Sequence, residues 1–145
     1  MGCKGVIGDL CLMGGCNDLT TFGHNLHKLI GSKGSVQGKV TVMYSMYDSV
    51  LAYLFKSIRL GEYPVGYKRM SKQFLADCLI EQDEMFKTMS RQQVIDYIDS
   101  RVENVDMSEL VNSHFVFKYR LRRTLPYFDF VGDLKGWGGI GPRSR

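Results

Sequence analysis

The chain has 145 residues, 44% of them hydrophobic and 12% aromatic, and a formal net charge of +4 at pH 7. That length and composition predict one folded domain, 1–145, with its own core, and exclude a disordered tail. The longest unbroken apolar run, Val50 to Phe55, is far short of the ~20 residues that cross a bilayer, so any membrane contact is expected to be peripheral.

Residues 1–38 hold nine of the sixteen glycines and read as loops and short strands. Asp9 interrupts the early apolar stretch and no basic segment leads it, so no secretory signal is expected. The four cysteines, Cys3, Cys11, Cys16 and Cys78, are then expected to be reduced thiols. The opening MGCK offers Gly2 for myristoylation once Met1 is lost, and Cys3 for palmitoylation, although Val6 stands where the usual pattern has Ser or Thr. Cys11, Cys16, His24 and His27 supply two sulfur and two imidazole ligands for a zinc ion, but Cys-x4-Cys followed by His-x2-His is not a standard spacing. No metal or cofactor is assigned.

The stretch GKVTVMYSMYD reads as a strand with two fairly apolar faces, which predicts a central position in a sheet. Asp48 then caps a helix over SVLAYLFKSIRL, in which Leu51, Leu54, Phe55 and Ile58 recur at α-helical spacing and Gly61 ends the run. After the turn GEYPVGY, a second helix begins at Ser71 and turns Phe74, Leu75, Cys78, Leu79, Met85, Phe86 and Met89 inward. Ser90 and Gln93 form a capping box for a third helix bearing Val94, Ile95, Ile98 and Val102. DMSELVNS adds one or two helical turns. HFVFKYRLRR is the second clear strand, with Phe115, Phe117, Tyr119 and Leu121 on one face. The tail 132–145 is glycine-rich and basic. The predicted class is α+β: an antiparallel sheet or sandwich from the two ends of the chain, with a helical middle.

Two phosphate-loop look-alikes fail. In GSVQGKVT, Gly34 and Gly38 are too close, Val40 replaces the magnesium-binding hydroxyl, and a strand follows where a helix is required. GWGGIG has too little chain after it for a βαβ unit. No histidine is placed by the sequence beside a cysteine nucleophile, and acid pairs such as Asp83–Glu84 and Asp96–Asp99 fall on predicted helix surfaces. A non-enzyme without a small-molecule substrate is expected. The remaining alternative is an unrecognised Cys/His site, which anomalous thiol reactivity would reveal.

Charge is the stronger signal. Residues 78–112 carry three bases against eight acids, and residues 113–145 carry seven bases against two acids. Strand alternation sets Lys118, Arg120 and Arg122 about 7 Å apart, with Arg123 beside them. Such a row repels itself unless an anion lies opposite, and guanidinium groups suit phosphate oxygens. Lys68, Arg69 and Lys72 form a second basic cluster. The candidate anions are RNA phosphates, acidic lipid headgroups, or the acidic region of another copy.

The strand running into MYDSVLAYLFKSIRLGEYPVGYKR, the later FVFKYRLRR and the ending GGIGPRSR resemble the small matrix proteins of non-segmented negative-strand RNA viruses, the bornavirus type most. The resemblance implies a small β-rich domain that self-associates on the inner face of the virion envelope or in the host cytoplasm. It implies binding to acidic phospholipid and to RNA or nucleoprotein, with Lys118, Arg120, Arg122 and Arg123 making the contacts. Tyr63-Pro64 lacks the remainder of a late-budding motif, and the helical middle departs from an all-β matrix domain. The competing expectation is a compact RNA-binding or host-interaction module with no membrane role.

Overall fold

A computed structural model describes residues 4–58 and 62–113. It contains strands β1 (Leu10–Met13), β2 (Val40–Tyr44) and β3 (Val102–Asp106). Between β1 and β2 lie α1 (Leu19–Asn25) and α2 (His27–Ile30). Between β2 and β3 come a π-helical stretch, Val50–Phe55, continued by α3 (Lys56–Ile58), and then α4 (Lys72–Gln82), α5 (Glu84–Lys87) and α6 (Arg91–Arg101).

The strands form one sheet in the order β1-β2-β3, and both pairings are parallel. Leu10 lies opposite Val40, and Val40 opposite Val102. The expected antiparallel sheet or sandwich is therefore overturned, and with it the α+β class: this is a mixed α/β fold. Connectivity is the cause. Helices separate each strand from the next, and a strand–helix–strand unit returns its second strand parallel to the first. The predicted strand at 115–123 lies outside the described residues.

Both crossovers pack on one face of the sheet. Phe22, Leu26 and Ile30 from the first, and Leu75, Leu79, Val94 and Ile98 from the second, are buried with Val40, Val42 and Val102. Each large apolar side chain buried there contributes roughly 1.5–3 kcal/mol. On the opposite face Met43 is buried with Met107 and Val111, and Cys11 and Val105 pack beside them. β2 thus has apolar neighbours on both faces and a strand on each side, the central position its sequence predicts.

Local chemistry sets the helix starts. Asp18, Ser71, Asp83 and Ser90 are N-caps whose side chains accept backbone N–H groups. The Ser90–Gln93 capping box is complete. The predicted helix from Ser71 is split, because Asp83 leaves helical geometry (φ −135°, ψ 120°) and caps α5. Phe86 then turns inward while Met85 is exposed. Across the molecule, Arg101 clamps the segment leading into β2: its Nε donates to Gly38 O at 2.8 Å and its Nη2 to Val36 O at 2.7 Å.

Two further expectations are corrected. Val102 opens β3 instead of continuing α6, and the segment predicted to add helical turns gives its first residue, Asp106, to the strand and forms a turn at 108–110. In addition, Leu51 is buried but Leu54 and Ile58 are exposed. The π-helical turn has i→i+5 bonding and shifts the apolar positions out of the phase that α-helical spacing assigns them.

Candidate functional site

In parallel α/β sheets ligands usually bind beyond the C-terminal ends of the strands. Here the chain fills that place itself. Leu19 N donates to Tyr63 O (3.1 Å), Val65 N to Asn17 O (2.8 Å), Gly66 N to Gly15 O (3.0 Å) and Ser45 N to Gly66 O (3.0 Å). The segment 63–67 is therefore laced across the loops that follow β1 and β2. A Cβ on Gly66 would overlap the backbone of Gly14 and Gly15, so the close approach requires glycine.

A cavity of about 590 Å³ is lined by His27, Lys28, Lys33, Ser32, Asp83 and Glu84, with Ser35 and Gln82. One of its lining groups is a structural carboxylate. Asp83 accepts from Ser32 N (2.7 Å), Ser32 Oγ (3.0 Å) and Met85 N (3.0 Å). Burial pushes the Asp83 carboxyl up, but the bonds from Ser32 and Met85 outweigh it, and its pKa falls below the ordinary value. The Gly-Ser-Lys-Gly-Ser loop at 31–35 thus holds an anion that the chain supplies.

The basic cluster is partly brought together. Arg69 and Lys72 line a second cleft of about 300 Å³ with Lys39, Asp99, Val102, Glu103 and Asn104. Lys72 is ion-paired to Asp99. Lys68 turns away from the cleft and places Nζ 3.9 Å from the centre of the Tyr63 ring, which stacks on Tyr67 at 5.7 Å. Sequence reasoning missed Lys39, because its proximity to Arg69 depends on β3, which the sequence does not announce. Lys118, Arg120, Arg122, Arg123, Gly2 and Cys3 lie outside the described residues.

The four candidate zinc ligands do not gather. Cys11 is half-buried beneath the sheet, where burial pushes its thiol up to about 11, and Cys16 is exposed, with Sγ donating to Gly14 O at 3.6 Å. His24 faces Glu81 at 3.8 Å, and His27 Nδ1 lies 2.9 Å from His24 O. Among the described residues no group of three or more His, Cys, Asp or Glu is placed to hold a metal ion.

The other surface feature is apolar. Met46, Tyr47, Tyr53, Leu54 and Ile58, all within thirteen positions, have relative exposures of 52–76%. Periodicity misses this face because it assigns Leu54 and Ile58 to the core. No helix among the described residues is long and apolar enough to cross a membrane. Compared with protein families, curated proteins and solved structures, the chain matches none.

Proposed function

We propose that this chain is a non-enzymatic, matrix-type structural protein that self-assembles and lies peripherally on acidic membrane, linking it to ribonucleoprotein. The observation that carries this reading is the run of exposed apolar side chains at 46–58. Isolated exposed apolar residues are ordinary, but several large ones on one short stretch mark an interaction surface. Tyrosines suit the boundary between headgroups and acyl chains. In the sequence Lys56 and Arg59 fall within and just after this stretch, and Asp48, its only acid, is buried. Cations close in sequence to exposed apolar residues match an anionic bilayer. The filled sheet crest also removes the usual small-molecule site of a parallel sheet, beyond the C-terminal ends of its strands. The proposal does not rest on the β-rich fold that the matrix resemblance implies.

Vesicle flotation tests the membrane reading. The intact protein is expected to float with vesicles containing acidic lipid, and less so as salt rises. Leu54→Ser/Ile58→Ser is expected to lose most of that binding while keeping its melting temperature, since both side chains are exposed. Absence of flotation in the parent, or equal flotation in the variant, refutes the role of this face. The second reading, a compact RNA-binding module, is favoured by the Tyr63–Tyr67 stack beside Lys68, a pairing of ring and cation suited to bases and phosphates. RNA binding without flotation would favour that module.

A further inference from the structure

We propose that the cleft at the edge of β3 is a binding site for a phosphate ester, held by Lys39 and Arg69, with Lys72 and Asn104 at its walls. This inference concerns soluble phosphate chemistry first and stands independently of the membrane reading.

Charge accounting carries the argument. The cleft is lined by three cations, Lys39, Arg69 and Lys72, and two carboxylates, Asp99 and Glu103. Asp99 is ion-paired to Lys72, so that pair is internally neutralised. Glu103 also lines the cleft, so with Asp99 and Lys72 paired one net positive charge remains on its walls. Among the described residues neither Lys39 Nζ nor the Arg69 guanidinium has a hydrogen-bond or ion-pair partner, although both residues line the same cleft and Arg69 also acts electrostatically on Tyr44. Arg101, the nearby cation of α6, is by contrast bonded to carbonyls of Val36 and Gly38. Two like charges facing one cleft repel unless an anion lies between them. The guanidinium fork matches a pair of phosphate oxygens, and an ammonium reaches a third.

The walls suit the same ligand. Asn104 Oδ1 accepts from Met70 N at 3.4 Å, which leaves its amide N–H groups as donors. Lys72 is the first residue of α4, an eleven-residue helix. At about 300 Å³, the cleft is at the lower end of the range for small-molecule sites and suits a phosphate with a glycerol or sugar attached.

Titration of the intact, ¹⁵N-labelled protein with inorganic phosphate and then glycerol 3-phosphate tests this. Saturable amide shifts are expected at Lys39, Val40, Arg69, Met70 and Asn104. Lys39→Gln/Arg69→Gln is expected to weaken binding by about tenfold or more, the ordinary worth of a charge-assisted bond. Both residues are exposed, so the variant should fold, and an unchanged melting temperature verifies it. Glu103→Gln supplies the opposite sign: it should tighten an anion and weaken a cation. No saturable shift with either phosphate, undiminished binding in the double variant, or weaker binding in Glu103→Gln overturns the site. Vesicles containing phosphatidic acid, compared with phosphatidylserine, identify the source. A preference for the phosphomonoester that is lost in the double variant assigns a lipid headgroup, whereas soluble binding without that preference assigns a free phosphate ester. Failure of the cleft leaves flotation through 46–58 intact, and failure of flotation leaves the soluble titration intact.

Discussion

Asp83 joins segments that are 51 positions apart, through Ser32, while capping the helix that follows it. Gly31 permits this, since a Cβ there would overlap Asp83 Oδ2. Burial acts against the charge and the three bonds act for it, with a net lowering of the pKa. A carboxyl whose folded pKa lies below its unfolded value stabilises the fold fully above the unfolded value, about 3.9, and that contribution is lost as pH falls through the folded one. Asp83→Asn is therefore expected to lower stability by about 1–3 kcal/mol at pH 7, because it weakens acceptors for buried donors. Urea midpoints measured from pH 7 to pH 3 check both points: the variant should start lower and lose less on acidification. An unchanged acid slope would remove Asp83 from the account. None of this was legible in the sequence, where Asp83 reads as one acid on a helix surface, because its partner arrives from a distant loop.

Sequence and structure agree on an element where the signal is local. The N-caps at Asp48 and Ser90 are read from side chains that bond within three residues, and the structure has them. Val40–Tyr44 is legible because both of its faces are apolar. The capping box gives the cleanest test at this scale. Ser90→Ala should cost about 1 kcal/mol and Gln93→Ala less, with amide exchange rising first in the opening turn of α6. β3 was not legible, because Val-Glu-Asn-Val-Asp has low strand propensity and follows a helix without a break. It is a strand because Arg101 and Val102 deliver it to the open edge of β2, a tertiary effect that overrides propensity. The π-helical stretch was likewise hidden, since its composition is that of an ordinary amphipathic helix. These two omissions also obscured the candidate surfaces: without β3 there is no cleft to unite Lys39 with Arg69, and without the π-helical shift there is no exposed apolar face.

At the level of the whole molecule, the described residues pack both crossovers on one face of the sheet and close the C-terminal ends of its strands with the 63–67 segment. The crest depends on the approach of Gly66 to Gly14 and Gly15. Gly66→Ala should cost about 2 kcal/mol or more, in the range of overpacking a tight site, and should be visible as a lower urea midpoint. A variant as stable as the parent would mean that the 63–67 segment yields easily and that the crest can open. The asymmetry of charge along the chain was legible in the sequence, but the sheet's direction was not, since no run of residues states whether two strands are joined by a turn or by a crossover.

The parallel order also has a consequence for how the chain is made. Val40 emerges from the ribosome sixty-two residues before Val102, its partner in the sheet. At about 5–20 residues per second the central strand waits several seconds with one edge unpaired. Nascent chains that stop short of Val102 should hold β1 and β2 with an apolar edge open to other chains. Those fragments are expected to bind chaperones and aggregate until the last strand is synthesised.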